Sequence, residues 1–166
     1  MYNLYNFHRS FRTFAATVIV AAGLMAGNVV QAQTCYPLHI EASAALSNVT
    51  FDQDGNLTSA SASGSGIASH LGAVTATGVN YLYPPVEGIA RLDGSGTYTA
   101  ANGDQMWVNF DNTAYDLNAG ISTGTYVITG GTGRFTGASG SAPFTTRLAS
   151  SEVPTLVISA EGTICY

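Results

Sequence analysis

The chain of 166 residues contains no lysine, and its five arginines against ten acidic residues give a formal net charge of −5. A surface with so few cations repels the phosphate backbone, so nucleic acid is excluded as a partner. The lack of lysine also excludes a phosphate loop of the Walker type. The low charge does not indicate disorder, because Tyr, Phe, Ile and Val recur at strand spacing along the chain.

Long hydrophobic runs are absent except near the start, where 14–22 form an apolar core preceded by Arg9 and Arg12. The segment Val30-Gln31-Ala32 has small residues at the positions that a signal peptidase recognises in its cleavage site. We predict a signal peptide over 1–32, cleaved before Gln33, and a secreted or periplasmic domain over 33–166. An uncleaved anchor is disfavoured because the core is short for a spanning helix, so no stable membrane span is expected after cleavage.

Cysteine is scarce, with Cys35 and Cys165 at the two ends of the predicted domain. In an exported protein such a pair predicts a disulfide. A metal site or a redox pair is the alternative, and the missing C-x-x-C spacing disfavours both. We expect neither a metal nor a cofactor.

A helical period of 3.6 is absent after residue 32, and apolar and polar residues alternate almost throughout. On the first strand Leu38, Ile40, Ala42 and Ala44 share one face. About eight strands with short connections predict closure, which removes sheet edges. The fold class is therefore all-β, a single antiparallel eight-stranded β-barrel whose first and last strands meet at the cysteines. An immunoglobulin-like sandwich is the alternative, but its cysteines lie inside strands.

The most regular hairpin signal surrounds Asn102-Gly103, a pair typical of a two-residue type I′ turn. The returning strand is predicted over 104–111, and a loop over 115–120. Alternation along these strands directs Tyr98, Met106 and Phe110 to one face.

Four glycines cluster between Thr129 and Gly140, after an apolar run that ends at Ile128. A dinucleotide site would need a helix directly after the glycines, but Gly140 and Pro143 precede a β-like run instead. We predict a corner between two strands, in which the glycines adopt turn conformations. Phe135 would cap one end of the core. Arg134 would either donate to carbonyls at the corner or pair with an acid such as Asp104. The corner residues are Gly130, Gly131, Gly133, Arg134 and Phe135.

The pattern Gly-Gly-Thr-Gly-x-Phe-x-x-Ala-x-Gly over 130–140 resembles the corner of dirigent proteins and the related allene oxide cyclase barrel. Exported bacterial proteins of this barrel type show a closer likeness, sharing also the motifs at 66–72 and 100–104 in the same order. The resemblance implies an eight-stranded, allene oxide cyclase-like barrel. In plants it implies a cavity that holds apolar oxidised lipids or phenolic radicals. No catalytic residue is carried over.

Two histidines of the predicted domain are candidates for chemistry. His39 and Glu41 share a strand face opposite Leu38 and Ile40, hence an outward one, and no third ligand is nearby. His70 ends a strand whose Ala60–Ala68 face is expected inside, which would place it at a barrel mouth as a general base. A hydrogen-bonded structural histidine is the alternative.

Three functions fit this barrel. The first is a non-enzymatic module that binds a small apolar or aromatic ligand, with Tyr98, Met106, Phe110 and Tyr126 in the lumen and His70 at its rim. The second is an isomerase or cyclase that steers a reactive lipid-like or phenolic substrate by geometry. The third is a structural or surface protein, as a homo-oligomer, whose narrow lumen is filled by side chains. An open apolar cavity of several hundred Å³ favours the first two functions, and a filled lumen favours the third.

Overall fold

The computed structural model describes residues 33–149 and 152–166, and it shows eight antiparallel strands closed into one barrel. Each strand pairs with its neighbours in sequence, and the eighth pairs with the first. The predicted fold class is confirmed, whereas the predicted signal peptide lies outside the described residues. The strands are β1 Cys35–Phe51, β2 Leu57–Ala68, β3 Gly72–Leu82, β4 Ile89–Ala100, β5 Gln105–Asp116, β6 Ile121–Gly131, β7 Ser139–Ala149 and β8 Thr155–Cys165.

The alternation of β1 explains which face of the sheet turns inward. Leu38, Ile40 and Ala44 are at most 2% exposed, while His39 and Glu41 between them are exposed as predicted. Ile40 is paired with Ala68 on one side and Ala160 on the other, so the first strand is held by both neighbours. Burial of a side chain such as Ile40 stabilises the fold by about 1.5–3 kcal/mol.

The seam of the barrel is the pairing of β1 with β8, and a disulfide joins its end. Cys35 lies opposite Cys165 in the register, and their sulfurs are bonded, as predicted. The bond spans a sequence separation of 130, which in the chain-entropy model corresponds to about 5 kcal/mol of stabilisation.

One end of the barrel, here the closed end, is filled by side chains. It carries the disulfide, the turns after β2 and β4, and the corner after β6. Phe135, on a single 3-10 turn over Gly133–Phe135, is fully buried, as are Met106 and Ile164. Leu71, from the turn after β2, is 6% exposed and belongs to the same core. The prediction that Phe135 caps one end of the core is confirmed.

The glycine corner depends on a close approach between Gly133 and Asp104. Gly133 has a φ of +58°, and a Cβ at this position would overlap the Asp104 carboxylate. The same carboxylate is 3.4 Å from Arg134 Nε and accepts a hydrogen bond of 3.0 Å from Asn102 Nδ2. The predicted pairing of Arg134 with Asp104 is confirmed, and the corner is thereby tied to the turn after β4.

The hairpin between β4 and β5 forms where predicted, but the predicted type I′ turn is wrong. Gly103 has a φ of +90°, whereas Asn102 does not adopt a positive φ. Ala101, Asn102 and Gly103 together form a three-residue loop. The Ala100 amide donates to the Asp104 carbonyl, and the Gly103 amide donates to the Ala100 carbonyl. Asn102 Oδ1 accepts from the Asp104 amide at 3.1 Å, which supports a type I turn followed by a left-handed glycine.

Strand β5 runs to Asp116, so the predicted strand end at 111 and loop start at 115 are wrong. A bulge keeps the strand in the sheet, with Asn112 at a φ of +49°. Asp93 Oδ1 accepts the Asn112 amide at 2.8 Å and holds this bulge. The extra residue turns Thr113 inward, where it is 1% exposed, and its hydroxyl has no hydrogen-bond partner in the described structure.

We expect Gly133→Ala to destabilise the protein more than Gly137→Ala, because the Asp104 carboxylate would have to move away from Arg134 and Asn102. Gly137 also has a positive φ, of +74°, but a Cβ there meets open space. Its replacement therefore costs only the backbone strain, about 1–2 kcal/mol, while Gly133→Ala adds the overlap with Asp104. Urea unfolding of both variants measures the difference, and equal losses would contradict the close approach.

We expect Thr113→Val to raise the free energy of unfolding by about 1 kcal/mol, because it removes a buried hydroxyl that lacks a partner. The control is Thr146→Val, which leaves the hydroxyl of Ser122 without its partner and should destabilise. Thermal unfolding of the two variants is the measurement. A loss of stability in Thr113→Val would show that its hydroxyl is hydrogen-bonded.

Candidate functional site

A cavity occupies the half of the barrel away from the closed end. The connections after β1, β3, β5 and β7 lie at this second end, here the open end. Five leucines near the strand termini, here the leucine rim, line the cavity there. None of the five is fully buried. The rim consists of Leu46, Leu57, Leu82, Leu148 and Leu156.

The cavity is large enough for a small organic molecule. Its volume is about 140 Å³ measured to the centres of the water molecules it could hold. This is below the roughly 300–1,000 Å³ typical of drug-sized ligand pockets, and close to the roughly 150 Å³ of an apolar cavity that holds benzene. Small inward residues provide this space, among them Ala44, Ala62, Gly78 and Gly96.

Four aromatic rings, here the aromatic cluster, form one wall of the cavity: Tyr98, Phe110, Tyr126 and Phe144. Tyr126 stacks on Phe144 with centroids 4.2 Å apart, and Phe110 meets both edge to face at 5.7 and 5.5 Å. Tyr98 meets Tyr126 edge to face at 6.4 Å. These are the preferred geometries of aromatic pairs. The cluster is therefore a rigid surface against which a flat apolar molecule can pack.

A glycine in β4 positions the cluster. A Cβ on Gly94 would overlap both the Phe110 ring and the Val79 carbonyl. Its absence lets the Phe110 ring lie against the backbone of β4, with which Phe110 is paired in the register.

No charged side chain lines the cavity in the described structure. Its polar groups are hydroxyls and amides, including Asn80 and a buried hydrogen-bonded pair formed by Ser122 and Thr146. Since an ion gains no counter-charge in such a site, the cavity accepts uncharged molecules far better than ions.

The two tyrosines of the aromatic cluster have perturbed acidities. Burial raises the pKa of Tyr98, and burial raises the pKa of Tyr126 well above its ordinary value. Their hydroxyls are close enough that each also affects the pKa of the other. Both phenols are therefore neutral over the physiological range and act as hydrogen-bond donors or acceptors.

Three of the five predicted ligand-binding residues line this cavity: Tyr98, Phe110 and Tyr126. Met106 faces inward and is fully buried, but it belongs to the packed core and not to the cavity lining. The sequence therefore predicted that three aromatic side chains of the cavity wall face inward. Whether these residues bind a ligand stays a prediction.

His70 lies at the closed end, away from the cavity. His70 lies in the turn after β2 and has a φ of +68°. Its side chain therefore does not continue the inward-facing row that strand alternation predicts. Its Nε2 is 2.9 Å from the Pro37 carbonyl oxygen, and its ring contacts Tyr36 and Tyr166 with centroids 5.3 and 6.1 Å away. This arrangement corresponds to the alternative of a hydrogen-bonded structural histidine.

Several residues of the site escaped the sequence interpretation. Phe144 and Thr146 alternate with polar neighbours on β7, so their inward direction could have been read from the period of two. The leucine rim gave no signal, because single leucines near turns are common. Stacking of Tyr126 on Phe144 depends on the β6–β7 register, in which Phe144 pairs with Gly124 and leaves room for the ring.

The outer surface at the seam holds His39 between two acids. Its Nδ1 is 3.4 Å from Glu161 and its Nε2 is 3.7 Å from Glu41. All three side chains are at least half exposed. Over 33–149 and 152–166, no group of three or more His, Cys, Asp and Glu side chains is arranged to hold a metal ion.

Comparison with known proteins gives a similarity of fold. No family model matches the chain, and no curated protein matches it. Nine chains of solved structures do match. One is described as a pterocarpan synthase dirigent protein, with a TM-score of 0.53, 12% identity, and coverage of 82% of this chain and 87% of that chain. The protein has a dirigent-like barrel fold.

The disulfide of the dirigent-like barrel bears on its location. This bond is compatible with an extracellular or other oxidising compartment. In the part of the chain that the structure describes, none of the helices has the length and apolar character needed to cross a bilayer.

We expect the dirigent-like barrel to lose stability as the pH rises above about 10, where tyrosines of the unfolded chain ionise. The raised pKa values of Tyr98 and Tyr126 mean that the folded state keeps these protons longer. Stability is then fully present below that pH and is lost as the pH climbs towards the folded-state values. Ultraviolet absorbance of tyrosinate, recorded with circular dichroism, should show the last tyrosines ionising only as the barrel unfolds.

The control for this titration is Tyr126→Phe, which should make the alkaline loss of stability shallower. Ionisation of all tyrosines in one step, with the folded spectrum unchanged, would contradict the burial of the two phenols.

Proposed function

We propose that the protein binds a small apolar or aromatic ligand inside its barrel. The observation that carries this proposal is the open, uncharged cavity walled by the aromatic cluster and entered through the leucine rim. Apolar lining with a few polar groups is the usual composition of a small-molecule site. An eight-stranded barrel is wide enough for one such ligand.

The cavity disfavours a purely structural barrel. A lumen filled by side chains would need large inward residues along its whole length, as at the closed end. The open half instead presents Ala62, Gly78 and Gly96 towards the lumen. Unfilled apolar space of this size costs stability through lost packing contacts, so its presence supports a binding role.

Steering of a reactive substrate is the second candidate. The dirigent neighbour is described as a pterocarpan synthase. Geometry alone can direct a ring closure when the wall holds one conformer of the substrate. No histidine, acid or arginine lines this cavity in the described residues, so such a role would rest on shape and on tyrosine hydroxyls. Binding without turnover is the simpler function, and we place it first.

The compartment we propose is extracellular or periplasmic, with residues 1–32 as a removed signal peptide. Both cysteines are joined in the disulfide, and such bonds persist in oxidising compartments. The likeness to exported bacterial barrels in the motifs at 66–72, 100–104 and 130–140 supports the same location.

The proposal is tested with the neutral fluorescent probe N-phenyl-1-naphthylamine. Its emission should rise on binding to the protein and fall when an apolar competitor is added. Ala62→Leu should weaken probe binding about tenfold or more, because Ala62 lines the cavity and is only partly buried, so the added side chain fills ligand space.

The matched control is Ser63→Leu, which places the same side chain on the exposed outer face of the same strand. Probe affinity should be unchanged in this variant. Equal affinity in both variants, or an absence of probe binding in the wild-type protein, would overturn the proposal.

A further inference from the structure

The aromatic cluster contains two hydroxyl groups whose hydrogen-bonding capacity is not fully used within the protein. We propose that the Tyr98–Tyr126 hydroxyl pair donates a hydrogen bond to an acceptor oxygen of the ligand, which is an uncharged molecule with a carbonyl or ether group. This inference rests on the proposed function and names the ligand class of the same cavity.

The first reason for assigning this role to the tyrosine pair is the burial of both side chains. Tyr98 is 3% exposed and Tyr126 is 5% exposed, and both line the cavity. Both side chains are thus largely removed from bulk water, and neither phenolic oxygen is a fully buried atom without a partner. A hydroxyl placed in this way gains from a hydrogen-bond acceptor inside the cavity.

The second reason is that the two phenolic oxygens have no hydrogen-bond partner outside the pair in the described structure. Within the described residues, neither phenolic oxygen is hydrogen-bonded to the backbone or to any side chain outside the pair. The pair contains two O–H donors. A mutual hydrogen bond uses at most one of them, so at least one O–H remains free to donate into the cavity.

The other buried hydroxyl pair is a weaker candidate. Ser122 and Thr146 also line the cavity, but their oxygens are in close hydrogen-bond contact with each other. The small size of these side chains keeps their hydroxyls near the backbone of β6 and β7. A phenol carries its hydroxyl at the far end of a rigid ring, so the tyrosine pair reaches further into the lumen.

The charge of the ligand follows from the cavity and from its entrance. No cation in the described structure lines the cavity, so a carboxylate would be buried without a partner. The connections at the open end hold Asp52, Asp54, Glu87 and Glu152 and, in their described parts, no basic residue. Their field also disfavours the approach of an anion. The ligand class is therefore neutral.

The experiment compares three naphthalenes that differ only in one substituent. 2-Acetonaphthone carries an acceptor oxygen, 2-ethylnaphthalene has a similar shape without one, and 2-naphthoate is an anion. Each displaces N-phenyl-1-naphthylamine from three proteins. These are the wild type, the double variant Tyr98→Phe with Tyr126→Phe, and the control Tyr81→Phe, which removes the hydroxyl of an exposed tyrosine outside the cavity. The measured quantity is the ratio of the affinities for acetonaphthone and ethylnaphthalene, because the hydration of the free ligands cancels when this ratio is compared between variants.

In the double phenylalanine variant we expect this ratio to fall about tenfold, the effect of one hydrogen bond, with little change in the affinity for ethylnaphthalene. Tyr81→Phe should leave the ratio unchanged. Naphthoate should bind the wild type at least tenfold more weakly than acetonaphthone. Circular dichroism, together with retained affinity for ethylnaphthalene, verifies that each variant is folded.

Different results would contradict the hydrogen-bond inference and the ligand-binding function. An unchanged ratio in the double variant, an equal fall in Tyr81→Phe, or equal binding of naphthoate would overturn the inference while the binding function stands. If neither the probe nor ethylnaphthalene binds the wild type, the proposed function itself fails.

Discussion

Closure of the sheet between β1 and β8 is the constraint on which the rest of the structure depends. Because the sheet has no free edge, the inward residues of all eight strands face one lumen. A slip of one residue at the seam would turn Ile40 to the solvent and His39 to the core. The disulfide between Cys35 and Cys165 holds this register at the end of the seam.

The two halves of the lumen differ in the size of their inward side chains. Phe135, Met106 and Ile164 fill the closed end completely. Towards the open end the same barrel diameter is lined by residues such as Ala62 and Gly78. A cavity therefore arises without any change in strand number, simply because small residues occupy inward positions of β2, β3 and β4.

The chemistry of this cavity is defined by what surrounds its aromatic cluster. Apolar walls favour the transfer of an apolar molecule from water, and the absence of lining ions in the described residues makes that preference selective for neutral ligands. The neutral hydroxyls of Tyr98 and Tyr126 add direction to an otherwise non-directional attraction. A solid barrel core would need neither property.

The period of two and the end positions of Cys35 and Cys165 were enough to predict the barrel, its inward face and its disulfide, because these depend on alternation and on chain order. The length of β5, the position of His70 and the shape of the cavity depend instead on packing between strands that are distant in sequence. Asp93 holds the bulge at Asn112 and lengthens β5, while the left-handed turn takes His70 to Tyr36 at the closed end. The stacking of Tyr126 on Phe144 and the space beside it arise from inter-strand register and side-chain volume, which no local pattern encodes.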